Sequence, residues 1–549
     1  MVIAWADHLA ILPILLPLAA GAGLLLIEER HRALKAAISL ATTLALAGIV
    51  TALFYRLEAV PQEVIVYRLA GWPAPFGIVL VVDRLTVLML ILTSGLALAS
   101  LIFSLVRWSR AGVHYLSLFQ FLLMGLNGAF LTGDLFNLFV FFELLLAASY
   151  GLALHGSGIV RVRAGLHYIA INLAASLLFL IGVSLIYSAT GTLNMADLAM
   201  RIPTLDAGDR MLMESGSAIL GIAFLVKAGM WPLSFWLPTT YAAAAPPVAA
   251  MFAIMSKLGI YVILRLWLLL FGDAAGASSD FGGMALLAIG GATVLFGMIG
   301  ILASQDLGRL TGFAVLISSG TILAVIAIGD ADLTGPAIYY MISSTLAIGA
   351  MFMLIELIER GRDPGADMLA VTREAYGDDS EEDPLKMEEI GIAIPATITV
   401  LGLCFLSCAL VLAGMPPLSG FIGKFAILSA AFSVPGQGQD AVPVTAFTWL
   451  LLALLMVSGI VTLMAMTRAG IRTLWIPQER TTPMVHLAEI APIILLLAGC
   501  VALTVQADPV LRYMNAAASA AHSPADYVRG VLTDPETGAV RSPDSGGGP

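Results

Sequence analysis

The chemistry available to this chain rests on four side chains. Only five lysines occur in 549 residues, and three of them, Lys227, Lys257 and Lys424, stand inside long apolar runs. Their acidic counterpart is Glu143, in the run that opens at Asp134. A charge at the centre of a bilayer costs about 2.5–3.5 kcal/mol even on the lenient insertion scale, so three such lysines call for a partner or a polar cavity. Between an amine and a carboxylate in that setting the accessible reaction is proton transfer. A buried lysine, unlike an arginine, can exist charged or neutral, and an adjacent carboxylate biases the choice. At an effective dielectric near 20 a contact pair is worth about 4 kcal/mol, so joining or parting the pair could switch the lysine. The alternative is a static ion pair that glues helices together, and three lysines to one deep carboxylate argue against it.

The elements that must position these residues are membrane-spanning helices. The sequence is 59% hydrophobic and 12% charged, with a mean hydropathy of +0.95, far from the composition of a water-soluble domain. A bilayer core of about 30 Å needs about 20 apolar residues per helix, and such runs recur throughout. They predict an all-α integral membrane protein of 14 spans near 8–27, 33–55, 78–105, 113–131, 134–154, 164–188, 217–237, 244–270, 283–304, 308–329, 334–358, 391–434, 445–470 and 486–507. Glu143 lies nine residues beyond Asp134, about 13 Å down its helix and close to the midplane. Two spans are interrupted, one by Lys227-Ala-Gly-Met-Trp-Pro232 with Pro238, the other by Gly414-Met-Pro-Pro-Leu-Ser-Gly420. Proline removes a backbone hydrogen bond and clashes with the preceding turn, so both sites should unwind within the membrane. Paired interruptions in two halves point to a midplane transport site.

Loops after odd-numbered spans hold 15 of the 27 basic residues, among them Arg30, Arg107, Arg161, Arg309, Arg360 and Arg468. Basic loops stay in the cytoplasm, which places both termini on the other side. The acidic stretch 360–389 reads as a cytoplasmic connection, and residues 508–549 as a loose outer tail. His155 and His167 lie at cytoplasmic helix ends, while Asp83 and Asp134 lie at outer ends and read as solvated. The net charge of −10 is concentrated in loops and gives no sign of a nucleic-acid partner. Cys404, Cys408 and Cys500 fall in apolar runs as packing residues, with no metal-ligand spacing around them. Gly21-Ala22-Gly23 is not a nucleotide loop, since no strand precedes it. No cofactor is expected. The first run, Leu9 to Ile27, has neither a basic lead-in nor a cleavage site and reads as a retained helix.

Three motifs carry a family resemblance. Gly133-Asp-Leu-Phe-Asn-Leu-Phe-Val-Phe-Phe-Glu143, Phe224-Leu-Val-Lys227 followed by Trp231-Pro-Leu233 and Trp236-Leu-Pro238, and Pro416-Pro-Leu-Ser-Gly-Phe-Ile-Gly-Lys-Phe425 resemble the antiporter-like subunits shared by Mrp-type cation/proton antiporters and respiratory complex I. The Gly-Asp-Leu-Phe-Asn lead-in and a lysine in the later broken helix resemble the D-type subunit of Mrp antiporters most closely. The resemblance spans about 78–505. It implies two inverted five-helix repeats, 113–271 and 283–470, after N-terminal helices in 1–112 and before a last helix at 486–507. It also implies a Glu143–Lys227 pair, a linking Lys257 and a second-half Lys424, acting on protons and Na+ or K+ in a bacterial cell membrane. The partners implied are other membrane subunits of an Mrp-type complex, with lipid around them. Where the family often has histidine or lysine in the second half, this chain has Ser318, Ser343 and Ile348, none of which titrates near neutral pH. Hydroxyls and water would have to carry protons there. The rival readings are a proton-pumping subunit of a complex I-like enzyme and a non-conducting scaffold.

Overall fold

A computed structural model describes residues 5–59, 64–156, 158–360, 396–432, 446–475 and 485–533. The apolar runs become helices because lipid offers no partner to backbone N–H and C=O groups, which must therefore bond within the segment. In the first part these are α1 (Leu12–Leu26), α2 (Arg32–Ala59), α3 (Arg84–Val106), α4 (Tyr115–Leu131), α5 (Leu135–Ala153), α6 (Ile159–Thr190), a short α7 (Met195–Arg201), α8 (Ala207–Lys227), α9 (Trp236–Ala243) and α10 (Pro246–Phe271). The second part holds α11 (Gly283–Ala303), α12 (Leu307–Ile326), α13 (Ala331–Glu359), α14 (Ala396–Ala413), α15 (Ser419–Phe432), α16 (Ala446–Gly470), α17 (Leu487–Val505), α18 (Ala507–His522) and α19 (Ala525–Leu532). Eleven are long and apolar enough to cross a bilayer, and Leu12–Leu26, Tyr115–Leu131 and Ser419–Phe432 are shorter apolar helices. With α8 joined to α9 and α14 to α15 as interrupted spans, the described residues make the expected 14 passes. Each break is the fourth of five successive passes.

Short polar residues start many of these helices by accepting from the otherwise unpaired first-turn N–H groups. Asp83 caps α3, Asp134 caps α5, Asp206 caps α8, Asp306 caps α12 and Asp330 caps α13. The centre of the molecule is α10, α12 and α13, whose most apolar windows are 100%, 94% and 94% buried. They are apolar on all sides, as helices ringed by protein must be. The flanks α2, α6, α11, α14, α16 and α17 keep an outward apolar face.

Three expectations change. The run at 78–105 is not helical from its start: Val79–Val82 is strand β2, paired antiparallel with β1 (Ile65–Arg68) in the register Ile65↔Val82 to Arg68↔Val79. An apolar run alone does not separate strand from helix, and here three β-branched valines precede the Asp83 cap. The second correction concerns 508–549, where a loose tail is expected. Residues 507–532 form α18 and α19, with Met514, Ala517, Ala518, Val531 and Leu532 buried, and Arg68 Nη2 donates to the Thr533 carbonyl at 2.8 Å. Polar residues on one face lower the average hydropathy and hide the apolar face. Third, Asp83 is not merely solvated: Arg265 Nη2 donates to its Oδ1 at 2.8 Å, and Nη1 holds Oδ2. The acidic connection expected at 360–389 lies, beyond Arg360, outside the described residues.

Candidate proton-transfer site

Glu143 and Lys227 come together from α5 and α8. Lys227 stands in the last turn of α8, where free carbonyls favour a cation. The chain then turns through Gly229, whose φ of +73° suits glycine and whose added Cβ would fall 2.5 Å from Leu237 Cδ1. The opened backbone is not left unpaired: Ala228 N–H returns to Phe224 at 2.8 Å and Met230 N–H to Leu225 at 2.9 Å. Trp231 N–H reaches Thr293 Oγ1 of α11 at 2.9 Å. These bonds supply partners within the protein for N–H groups that a broken membrane helix would otherwise leave unpaired.

The pair is bridged by a residue that sequence reasoning missed. Lys227 Nζ lies 3.9 Å from Glu143 Oε1, and Ser176 sits between them, accepting from Lys227 at 3.2 Å and donating to Glu143. Helices α6 and α8 approach closely enough for this because Gly182 and Gly216 face each other; a Cβ on either would fall 2.8–2.9 Å from the other's carbonyl oxygen. The missed signal is a buried polar stripe in α6, Tyr168, Asn172 and Ser176, at intervals of four residues. The Lys227 ammonium also lies 5.1 Å from the centre of the Phe142 ring. Lys227 is buried, whereas the Glu143 side chain is 34% exposed, on the face of α5 that also exposes Phe136, Val140 and Leu144.

Lys257 is wholly buried in α10 and donates to Ser318 Oγ at 2.9 Å and Ser319 Oγ at 2.7 Å, both on α12. Lys424 is buried on α15 and donates at 3.0 Å to the Ala413 carbonyl, at the end of α14. It therefore meets the carbonyl end of a half-helix, as Lys227 does. Gly414, with φ +75°, has no room for a side chain, since a Cβ would fall 2.5 Å from Lys424 Cδ. The three lysines do not touch one another. Among the described residues no carboxylate pairs with Lys257 or Lys424. Ser318 faces Lys257, Ser343 bonds Ser419 at 2.7 Å, and Ile348 is buried packing.

Two cavities open at the end that carries the basic loops. One, of about 350 Å³, is lined by Trp108, Arg161, Tyr241, Asp306 and Glu356 among others. The other, of about 560 Å³, is lined by Arg163, His167, Trp236, Asp306 and Arg309 among others. Tyr241 and Trp236 recur in the wall of a much smaller hollow of about 10 Å³ beside Lys227 and Asn172. Trp236 Nε1 is buried without a partner there. His155 is buried near this end with Nε2 2.9 Å from the Trp108 carbonyl, and burial holds its ring below the ordinary histidine range. Glu356 is buried at the same end, held by Trp108 Nε1 and Arg360. Arg360 also pairs with the buried Glu489 of α17 at 2.7 Å.

Known proteins share both sequence and architecture. The family described as NADH:quinone oxidoreductase/Mrp antiporter, TM, matches residues 132–437. A Rhizobium meliloti (strain 1021) protein, named as the D-type subunit of a probable K(+)/H(+) antiporter, is 59% identical, over 97% of this chain and 99% of its own length. The D-type subunit of an Na(+)/H(+) antiporter from Alkalihalophilus pseudofirmus is 32% identical, over 96% of this chain and 100% of its own. Among solved structures, a chain of the Mrp complex from Dietzia sp. DQ12-45-1b superposes with a TM-score of 0.79 at 25% identity, covering 96% of this chain and 100% of that one. A multi-pass chain with this helix order, these broken spans and relatives matched end to end belongs to the family of D-type subunits of Mrp antiporters.

Proposed function

We propose that this chain is the proton-conducting subunit of a multi-subunit antiporter that exchanges protons for a monovalent cation. The observation that carries the reading is the Glu143–Ser176–Lys227 array, a carboxylate and an amine joined by a hydroxyl at mid-membrane depth. Protons enter through the cavities at the basic end, pass Trp236 and Tyr241 to Lys227, move laterally through Lys257 and leave near Lys424. The basic end faces the cytoplasm of a bacterial cell, and both termini face away from it. The membrane potential supplies about 2.3 kcal/mol per charge per 100 mV. The chain is thus a secondary transporter subunit and not an enzyme.

The exposure of Glu143 supports a partnership. A carboxylate on an outward face at mid-depth is costly against hydrocarbon. A neighbouring membrane subunit covering Phe136, Val140, Glu143 and Leu144 removes that cost, which fits the Mrp complex to which the Dietzia chain belongs. Potassium is the cation to test first, because the relative at 59% identity carries K(+)/H(+) in its name, with sodium the alternative that the relative at 32% names. The test is cation-dependent proton flux in everted vesicles containing the whole complex, with potassium and sodium compared. Flux with neither cation refutes the antiport reading. Normal flux in assembled complexes lacking the buried charges leaves the chain a scaffold.

A further inference from the structure

The larger of the two cavities at the basic end has a wall that is part cationic and part apolar. Its volume of about 560 Å³ is enclosed by Arg163 and His167 of α6, Arg309 of α12, and the apolar Val160, Phe235 and Trp236. Arg163 and Arg309 are exposed. Among the described residues neither has an ion-pair partner, whereas Arg107, Arg201, Arg265 and Arg360 all do. The one carboxylate in the wall, Asp306, is already engaged, because its Oδ1 accepts from the Arg309 backbone N–H at 2.6 Å as the cap of α12. Two guanidinium groups against one carboxylate leave an excess of positive charge. His167 can add to it: Nδ1 donates to the Arg163 carbonyl at 3.0 Å, so Nε2 is the nitrogen left to take a proton. Helix α6 starts on Gly158, which has no side chain to cap the first-turn N–H groups, so its positive end contributes as well.

The side of α6 that carries Arg163 continues away from the cavity as an apolar stripe. At 3.6 residues per turn Leu166, Leu173, Leu177 and Ile181 follow Arg163 and His167 on one side of the helix, and all four are exposed. Ile181 lies about 22 Å beyond Leu166 along the axis, more than the roughly 15 Å of hydrocarbon in one leaflet. In the cavity wall, Trp236 offers an indole N–H that is buried without a partner. Cationic groups at the helix ends with hydrocarbon-facing leucines beneath them reproduce the polarity order of a phospholipid. A soluble anion would use the arginines and leave the stripe unused.

We propose that this cavity holds the phosphate headgroup of an anionic phospholipid, with Arg163 and Arg309 on the phosphate and one acyl chain along Leu166, Leu173, Leu177 and Ile181. Arginine suits the role, since its planar fork can donate to two phosphate oxygens at once. A lipid of net negative charge is preferred over a zwitterionic one, whose ammonium would meet the same guanidinium groups. The binding does not depend on the proton route proposed above. A phosphodiester does not titrate near neutral pH, so the lipid itself carries no proton. With the larger cavity filled, the smaller one beside Tyr241 and Glu356 is the mouth that remains for that route.

The experiment uses the whole complex, purified in a neutral detergent and stripped of lipid, with assembly checked by native electrophoresis. Phosphatidylglycerol bearing a photoactivatable acyl chain is titrated onto the parent and onto the double variant Arg163→Gln/Arg309→Gln, and labelled peptides are identified by mass spectrometry. Both arginines are exposed and lack ion-pair partners, so the variant should assemble as the parent does. Labelling is expected on α6 between residues 159 and 181, with half-saturation in the variant at about thirtyfold higher lipid. Competition on the parent alone separates the sources of phosphate. Unlabelled phosphatidylglycerol should displace the label, while phosphatidylcholine, glycerol phosphate and inorganic phosphate at the same concentration should not. Equal labelling of α6 in parent and variant overturns the proposal, as does displacement by phosphatidylcholine as effective as that by phosphatidylglycerol. Displacement by inorganic phosphate makes the cavity a soluble-anion site, and a parent unlabelled on α6 has that face covered by a neighbouring subunit; either result overturns the lipid assignment.

Discussion

Glu143→Gln isolates the charge at the bridged pair from its geometry. Glutamine matches glutamate in shape, and its amide oxygen can still accept from Ser176, so helix packing is retained. What is lost is the attraction across 3.9 Å, about 4 kcal/mol at an effective dielectric near 20. That energy corresponds to about a thousandfold bias in the exchange of a proton at Lys227, enough to stop turnover while the complex still assembles. Glu143→Asp is the graded control. It draws the carboxylate back by about 1.5 Å, which leaves about 3 kcal/mol of attraction and breaks the Ser176 contact. Aspartate should therefore retain a measurable fraction of exchange, and glutamine none. The assay is cation-dependent acridine-dye quenching in everted vesicles, with complex assembly quantified on the same membranes by native electrophoresis. Near-parent exchange by an assembled Glu143→Gln complex would refute the argument, as would aspartate performing worse than glutamine.

Lys257→Ala should block exchange, and Lys257→Arg should impair it strongly because arginine does not give up its proton; full activity with arginine, measured in the same vesicles, would make Lys257 a fixed charge. Lys424→Ala should abolish exchange and Lys424→Glu should retain part of it, since glutamate also titrates, whereas Ser343→Ala should slow exchange without stopping it by loosening the Ser419 contact. Parent-level flux in Lys424→Ala would remove the second half from the path. His155, held by burial below its ordinary value of 6.5, contributes a stability that is complete above that pH and is lost as pH falls through its folded value. The purified complex should therefore melt at a lower temperature at about pH 5.5 than at about pH 7.5, and His155→Gln should narrow that gap. An unchanged gap in the variant would place the acid sensitivity elsewhere.

The candidate lysines were legible because charge is expensive in a bilayer, so Lys227, Lys257, Lys424 and Glu143 stood out against runs of leucine and alanine. The breaks were legible through proline and glycine, whose backbone limits are local. Ser176 was not, because a serine in a membrane helix is inexpensive and common, and only its alignment with Tyr168 and Asn172 marks it. Contacts over long separations were also closed to sequence reasoning. Nothing near Asp83 announces Arg265, 182 residues away, and without that partner the aspartate reads as a solvated helix end. Likewise α18 and α19 have the average polarity of a tail, and their role shows only in which residues face inward. Ser318 was legible as a departure from the family pattern; that it receives the Lys257 ammonium depends on how α10 meets α12.

The placement of α18 bears on how the protein is made. Helix α13 carries Tyr340, Ser343 and Ser344, and α17 and α18 cover one flank of it, where Gly335 lies so close to Asn515 that a Cβ would strike its side chain. Translation completes α13 at Glu359 and α18 at His522, more than 160 residues later. At about 5–20 residues per second that is a delay of roughly 8 to 30 s. Throughout that interval the hydroxyl-bearing helix sits in the membrane with its flank open. Release of the nascent chain just before residue 507 should leave a species that has α1 to α17 but lacks the helix that closes the α13 flank, a ready substrate for membrane proteases.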